Sequence, residues 1–355
     1  MPDPWNRYDR TAARQHGRPG REIRPHSITV DMHAHMLVPE AEAFVRPHLP
    51  PDPRARFYTE ETRHLTRKQD ADRRPNLTDL DLRLADMDTM GIDIQVVSPA
   101  PGQCTYTVPP ELGIEAVRLV NNGVASFVAR RPDRLAAIGT VPLQAGGAAA
   151  AEELRRCMSE LGFKGVQILT HVGEMEISDP TLADFWAMAE TLGAVVMIHP
   201  AGFTEARRFG RYYFNNVIGN PFDTTMALHY LIFDGVLERH PALKLIAVHG
   251  GGYLPGYSGR IDHAWGVRSD SHGDLPHAPT TYLKRIYVDT IVFTPHQLEG
   301  LVKLFGAGQV LMGTDYPYDM GEYDPIGHLA ATQSLDAVTT AMIAGGNARL
   351  LFGLS

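Results

Sequence analysis

Ile28-Thr29-Val30-Asp31-Met32-His33-Ala34-His35-Met36 begins as an apolar, β-branched run and ends in two histidines. In a strand, residues i and i+2 point to the same side, so His33 and His35 face together. A strand this apolar is buried on both faces, as in a parallel sheet covered by helices. Two imidazoles on one face at the C-terminal end of such a strand form a chelate for a divalent cation. A single histidine is more often a satisfied core or surface residue; the pair at this spacing favours metal.

The same alternation runs the length of the chain. Apolar strand candidates at 94–99, 135–143, 165–170, 194–200, 244–250, 286–290 and 309–317 follow the first at 28–36. Stretches of helical spacing lie between them at 78–90, 110–129, 148–161, 180–192, 222–238 and 295–305. Eight strands with interleaved helices predict an α/β fold, a closed parallel (β/α)8 TIM barrel. The length of 355 residues suits one such barrel with insertions. The competing doubly wound sheet has a glycine-rich first turn, whereas this first strand runs into His-Ala-His. A short helix at 343–352 is expected to close the barrel.

Three segments stand outside the pattern. Residues 1–27 read as a polar N-terminal arm, and residues 28–355 as a single barrel domain. Residues 38–77 and 201–221 read as long insertions without regular structure after strands 1 and 5, the face where barrels build their sites.

Composition narrows the function. Hydrophobic residues at 44% allow a full-sized core, and a net charge of −8 makes nucleic acid a poor partner. The arginines of the first 25 residues lack the apolar run of a signal peptide, and Asp3, Asp9 and Glu22 do not suit a transit peptide. No run of about 18 apolar residues exists to span a membrane. Cys104 and Cys157 are too few for a disulfide framework, so a reducing cytoplasm is expected.

Three more strand candidates end in a polar residue and a turn: Val196-Met197-Ile198-His199-Pro200, Ile246-Ala247-Val248-His249-Gly250, and Leu311-Met312-Gly313-Thr314-Asp315. Burying such groups costs several kcal/mol each unless they are paired or coordinated. One shared cation compensates for most of them at once. The run Gly250-Gly251-Gly252 lacks the spacing of a phosphate loop, and its expected role is backbone room beside the metal.

Taken together, the Asp31–His35 motif, the stretch 83–93, Ile198-His199-Pro200, the glycine run leading to Gly259-Arg260-Ile261-Asp262-His263-Ala264-Trp265, Tyr287-Val288-Asp289-Thr290 and Gly313-Thr314-Asp315-Tyr316-Pro317 resemble the amidohydrolase superfamily. The likeness is to its metal-dependent decarboxylases, typified by the aminocarboxymuconate-semialdehyde and γ-resorcylate enzymes, and covers residue 28 to the C-terminus. The resemblance implies metal ligands His33, His35, His199 and Asp315, with His249 and Asp315 managing the proton. It implies arginines for a substrate carboxylate at Arg260, Arg268 and Arg74, with Arg73 as the neighbour of the last, and a homodimer in which one arginine crosses the interface. The implied reaction is loss of CO2 from an aromatic or conjugated enoic acid in aromatic catabolism. A hydrolase or hydratase acting on the same site is the alternative, and a catalytically silent barrel a third reading.

One divalent ion is expected, Zn2+ first and Mn2+ second. Lys164 lies at the start of the fourth strand, not at its end where binuclear relatives place a bridging lysine. Trp186 and Trp265 read as packing residues; Tyr106, Tyr212, Tyr213, Tyr316 and Phe293 are candidates to line a pocket. Ala201-Gly202-Phe203 follows Ile-His-Pro where the semialdehyde decarboxylase pattern has a tryptophan, so substrate selection is expected to differ there.

Overall fold

The computed structural model describes residues 25–204 and 206–354, so residues 1–24 of the expected arm lie outside the described residues. Eight strands run in parallel: β1 Val30–Met36, β2 Ile94–Pro99, β3 in two pieces (Leu135–Ala137 and Gly139–Thr140), β4 Gly165–Leu169, β5 Val195–His199, β6 Lys244–Ala247, β7 Ile286–Asp289 and β8 Val310–Leu311. The first piece of β3 pairs with β2, which pairs with β1. The second piece opens a ladder that continues through β4, β5, β6, β7 and β8. Beyond β8 the chain returns to β1: Met32 N donates to Met312 O at 3.0 Å, and His35 N to Tyr316 O at 2.7 Å. First and last strands are thus neighbours, and the fold is the (β/α)8 barrel.

The barrel interior is a packed core. Val30, Met32, Val96, Ile138, Val195, Met197, Ile246, Val248 and Leu311 fill it, and Ala348, Leu351 and Phe352 of the last helix, Asn347–Phe352, close one end. Fully burying one such large aliphatic side chain stabilises the fold by about 1.5–3 kcal/mol. The register of β1 against β2 shifts between Asp31 and Ala34. An extra residue in a strand re-aims the side chains that follow it. Val30 and Met32 therefore join the apolar interior, while His33 and His35 meet one another above it.

The insertions are more ordered than expected. Residues 38–77 contain the helix Pro39–Val45 and most of the nineteen-residue helix Glu60–Thr78. Thr59 caps the second helix, its hydroxyl accepting from Thr62 N at 3.2 Å. Only Arg73 and Leu77 of that helix are buried, so it has no apolar stripe to betray it in sequence. A separate helix, Leu80–Met90, starts at the Asp79 cap. Residues 201–221 contain a 3-10 turn, Ala206–Arg208, and a π-helical turn, Asn215–Gly219, which runs into the helix Asn220–Phe233. The two insertions pack on each other, with Thr59 N donating to Gly210 O at 3.2 Å.

Candidate metal centre

Four strand ends deliver five polar groups to the same point. His33 and His35 come from β1, His199 from the end of β5, His249 from the turn after β6, and Asp315 from the segment after β8. His33 Nε2 lies 3.1 Å from His35 Nε2 and 3.4 Å from Asp315 Oδ1; His35 Nε2 lies 3.1 Å from the same oxygen. His199 Nε2 is 3.9 Å from Asp315 Oδ1, and His249 Nε2 is 3.4 Å from Asp315 Oδ2. Ligand atoms of His33, His199, His249 and Asp315 all fall within 4.8 Å of one another.

Hydrogen bonds on the far side of each ring fix where its lone pair points. His33 Nδ1 bonds Asp289 Oδ2 at 2.8 Å, His35 Nδ1 bonds Pro99 O at 3.2 Å, and His199 Nδ1 bonds Pro200 O at 2.6 Å. In the neutral ring each Nδ1 must then donate, which leaves a lone pair on Nε2. Three such lone pairs and a carboxylate converge, and His199 Nε2 is buried without any hydrogen-bond partner. Two ligands about 2.1 Å from one ion stand about 3.0–3.4 Å apart at right to tetrahedral angles. The spacings among His33, His35 and Asp315 fit that polygon, so the donor set suits a divalent cation.

The electrostatics agree. Burial pushes the Asp315 carboxyl up, but the charge on His33 and the neighbouring imidazoles outweigh it and hold it well below the ordinary range. Burial takes His199 down to about 3 and also lowers His35, so both rings stay neutral. His33 goes the other way: burial disfavours its charge, yet Asp315 and Asp289 together raise it. Positive charge is thus wanted between His33 and the two carboxylates.

His249 and Asp315 both sit in left-handed backbone, at φ +54° and +57°. That conformation costs a non-glycine residue about 1–2 kcal/mol. Asp289 holds the first turn in place, accepting from His249 N at 3.0 Å and from Gly250 N at 2.8 Å. Gly252 has φ +67°, and a Cβ there would lie 2.2 Å from Pro221 O, so the glycine run provides backbone room at this turn.

Beneath the site lies a buried polar relay. Arg83 Nη1 donates to Gln95 Oε1 at 2.6 Å, and Gln95 Nε2 to Asp31 Oδ2 at 2.8 Å. Asp31 accepts from His33 N at 3.1 Å and from Thr314 N and Oγ1 at 3.0 and 2.6 Å. Arg83 Nη2 also donates to His35 O, and its guanidinium lies over the Tyr316 ring at 4.9 Å. One network therefore grips the peptides of His33 and His35 and the turn that carries Asp315.

The arginines separate. Arg74 is on the surface, paired with Glu42 at 2.6 Å. Arg73, one residue earlier, faces inward: it bonds Asp70 at 2.6 Å and Asp319 at 3.4 Å, and its guanidinium lies 4.9 Å over Tyr318. The Tyr318 ring stands 5.1 Å from that of His35. Arg260 and Arg268 are exposed, and Arg268 pairs with Asp270 at 2.6 Å. Within this chain, none of Arg74, Arg260 or Arg268 is brought to the histidines.

Other expected residues are placed clearly. Trp186 is buried and donates to Ile177 O, and Trp265 packs on His272. The Tyr316 hydroxyl is turned away to Asp86 at 2.7 Å. Lys164 precedes β4, at the opposite end from Leu169, which pairs with His199.

Sequence reasoning gave no role to Asp289, Asp31, Gln95 or Tyr318. Asp289 carried the same signal as Asp315, a carboxylate ending an apolar strand.

Barrel and metal centre together define a class: the chain belongs to the amidohydrolase family, whose model matches residues 30–354. Among similar proteins is 2-amino-3-carboxymuconate-6-semialdehyde decarboxylase of Dictyostelium discoideum, 34% identical over 79% of this chain and 78% of its own length. The γ-resorcylate decarboxylase of Rhizobium radiobacter is 30% identical over 77% of this chain and 87% of its own. The crystal structure of 5-carboxyvanillate decarboxylase from Sphingomonas paucimobilis is similar at a TM-score of 0.79 and 25% identity, covering 92% of this chain and 99% of that one.

Proposed function

We propose that this protein is a metal-dependent, non-oxidative decarboxylase that releases CO2 from an aromatic or conjugated enoic carboxylic acid. The observation that carries the reading is the convergence of three Nε2 lone pairs and Asp315 on one point, with His249 alongside. His33, His35, His199 and Asp315 would hold the cation. A divalent ion bound there supplies a Lewis acid that polarises a substrate oxygen.

The remaining work falls to side chains. Arg73 is the guanidinium on the metal side of its helix and orients a substrate carboxylate. His249 and Asp315 handle the proton, which goes to the carbon that carries the departing carboxylate as the C–C bond breaks and CO2 leaves. Asp289 holds the ring of His33 and the turn of His249.

The nitrogen-rich donor set favours Zn2+, with Mn2+ the alternative that metal analysis distinguishes. A homodimer is supported by Tyr253, Tyr257 and Val267, large and exposed on or beside the helix Leu254–Val267 that carries Arg260. Arg260 then serves the partner's site; an Arg260→Ala chain mixed with a His249→Ala chain regains partial activity if this is right. Among the described residues no helix is long and apolar enough to cross a membrane, and both cysteines are free and buried, which supports the cytoplasm.

The test is a panel of hydroxybenzoates, aminobenzoates and muconate semialdehydes assayed for CO2. Metal-dependent CO2 from any member supports the reading; metal-dependent turnover without CO2 replaces it with hydrolysis or hydration.

A further inference from the structure

Gln167 is a wholly buried amide on β4. Its neighbours Val166 and Ile168 belong to the core under the helices. By the alternation of a strand, Gln167 itself points into the barrel, in register with Met197 of the apolar interior. An amide in such a layer costs stability unless it is hydrogen-bonded. Only its nitrogen is satisfied. Nε2 donates to Pro99 O at 3.1 Å and to Cys104 Sγ at 3.6 Å, while Oε1 has no hydrogen-bond partner among the described residues. A methionine would fill the same space without an orphaned oxygen. Packing therefore does not account for the glutamine; its donor does.

The carbonyl it grips leads to the metal centre. Pro99 ends β2, past the last β2–β3 pair, Val97 with Ala137. Its oxygen meets two side-chain nitrogens, Gln167 Nε2 and His35 Nδ1, the latter at 3.2 Å. A carbonyl has two lone pairs and serves both. Ser98 Oγ also stands 2.9 Å from His35 Nδ1; its own proton goes to Ala34 O at 3.1 Å, so towards the ring it accepts, as Pro99 O does. A proton on Nδ1 leaves the lone pair on Nε2, the atom 3.1 Å from Asp315 Oδ1. The amide cannot turn over, because a flipped Gln167 would set oxygen against oxygen at Pro99. A side chain on β4 thus fixes a carbonyl on β2 that orients a ring on β1. Asp31 and Arg83 hold the peptides of His33 and His35, not the rings.

We propose that Gln167 is a positioning residue for the metal centre: through the Pro99 carbonyl it holds the His35 imidazole in the tautomer and direction that a divalent cation requires. It touches neither cation nor substrate. This role rests on the reading of His35 as a metal ligand.

The test is Zn2+ affinity by competition with a chromogenic chelator, beside urea unfolding of the metal-stripped chain. Gln167→Met removes both the donor and the orphaned oxygen. It should bind Zn2+ about tenfold more weakly, with an unfolding midpoint at or above the parent's. Gln167→Asn keeps an amide that is one methylene too short for Pro99 O, and should weaken binding likewise even if the methionine variant folds poorly. A double-mutant cycle checks the route. In a His35→Ala chain, which retains His33, His199 and Asp315, adding Gln167→Met should cost no further affinity. Zn2+ binding as tight as the parent's in both Gln167 variants, or a loss that persists in the His35→Ala background, overturns the role. A lowered midpoint with unchanged affinity does the same and leaves Gln167 a packing residue. Failure of the metal reading looks different: His35→Ala would then bind Zn2+ as tightly as the parent whatever stands at position 167, and the role would fall with it.

Discussion

The rim of the barrel and the mouth above it are held by different means. At the rim, His33, His35 and Asp289 are wholly buried, and each ring or carboxylate is fixed by a second bond from another strand. At the mouth, Arg54, Tyr213 and Asn216 are half-buried, and they belong to the two insertions, which touch where Thr59 N donates to Gly210 O. Buried polar groups must be satisfied or ligated, so the rim has little freedom to vary. The mouth meets water, and its side chains can change without leaving an orphan. The contrast assigns chemistry to the rim and substrate choice to the mouth.

Substitutions can break that division. The largest effect is expected from His249→Ala: kcat falls by about 10²–10⁴ while the protein keeps one metal per chain, read by steady-state kinetics and metal analysis. Loss of the metal instead would put His249 among the ligands. Next is Arg83→Met, which strips donors from Gln95, His35 O and Asn76 O in a fully buried setting. We expect a loss on the order of 3 kcal/mol in urea unfolding, together with weaker metal binding in a chelator competition. An unfolding midpoint equal to that of the parent would show that the relay does not hold the rim.

Smaller effects belong to the mouth. Arg73→Lys should raise KM about tenfold, equivalent to about 1.4 kcal/mol, with kcat little changed. A fall in kcat at constant KM would move Arg73 from orientation to the transition state. Arg74→Ala should stay within about twofold in KM, because its ion pair with Glu42 is exposed. A large KM effect there would mean that the helix Glu60–Thr78 turns its other face to the substrate.

The same physics explains what could be read from the sequence. Strands buried on both faces announce themselves as nearly continuous apolar runs, and most of the eight read that way in the sequence. A histidine or aspartate at the end of such a run is conspicuous, which is why His33, His35, His199, His249 and Asp315 stood out. Asp289 carries the same sign as the last residue of the strand Ile286–Asp289, but its role lies in partners, His33 and the His249 turn, that only the fold brings to it. Asp31 and Arg83 were hidden, since their value lies in partners far along the chain: 283 residues separate Asp31 from Thr314. The helix Glu60–Thr78 has no helical signature in the sequence because it buries only two side chains, Arg73 and Leu77, and needs no apolar face. Arg73 and Arg74 differ by one position, about 100° around a helix, and sequence alone does not say which turns inward.

The most direct test of the metal centre as the seat of decarboxylation is a titration. Metal-stripped protein is reloaded with Zn2+ in steps, and CO2 release is followed on whichever acid of the panel is turned over. The account predicts no CO2 from the stripped protein, a linear rise with added metal, and a plateau at one equivalent per chain. CO2 release that is undiminished by stripping, or a rise that continues past one equivalent, would contradict it.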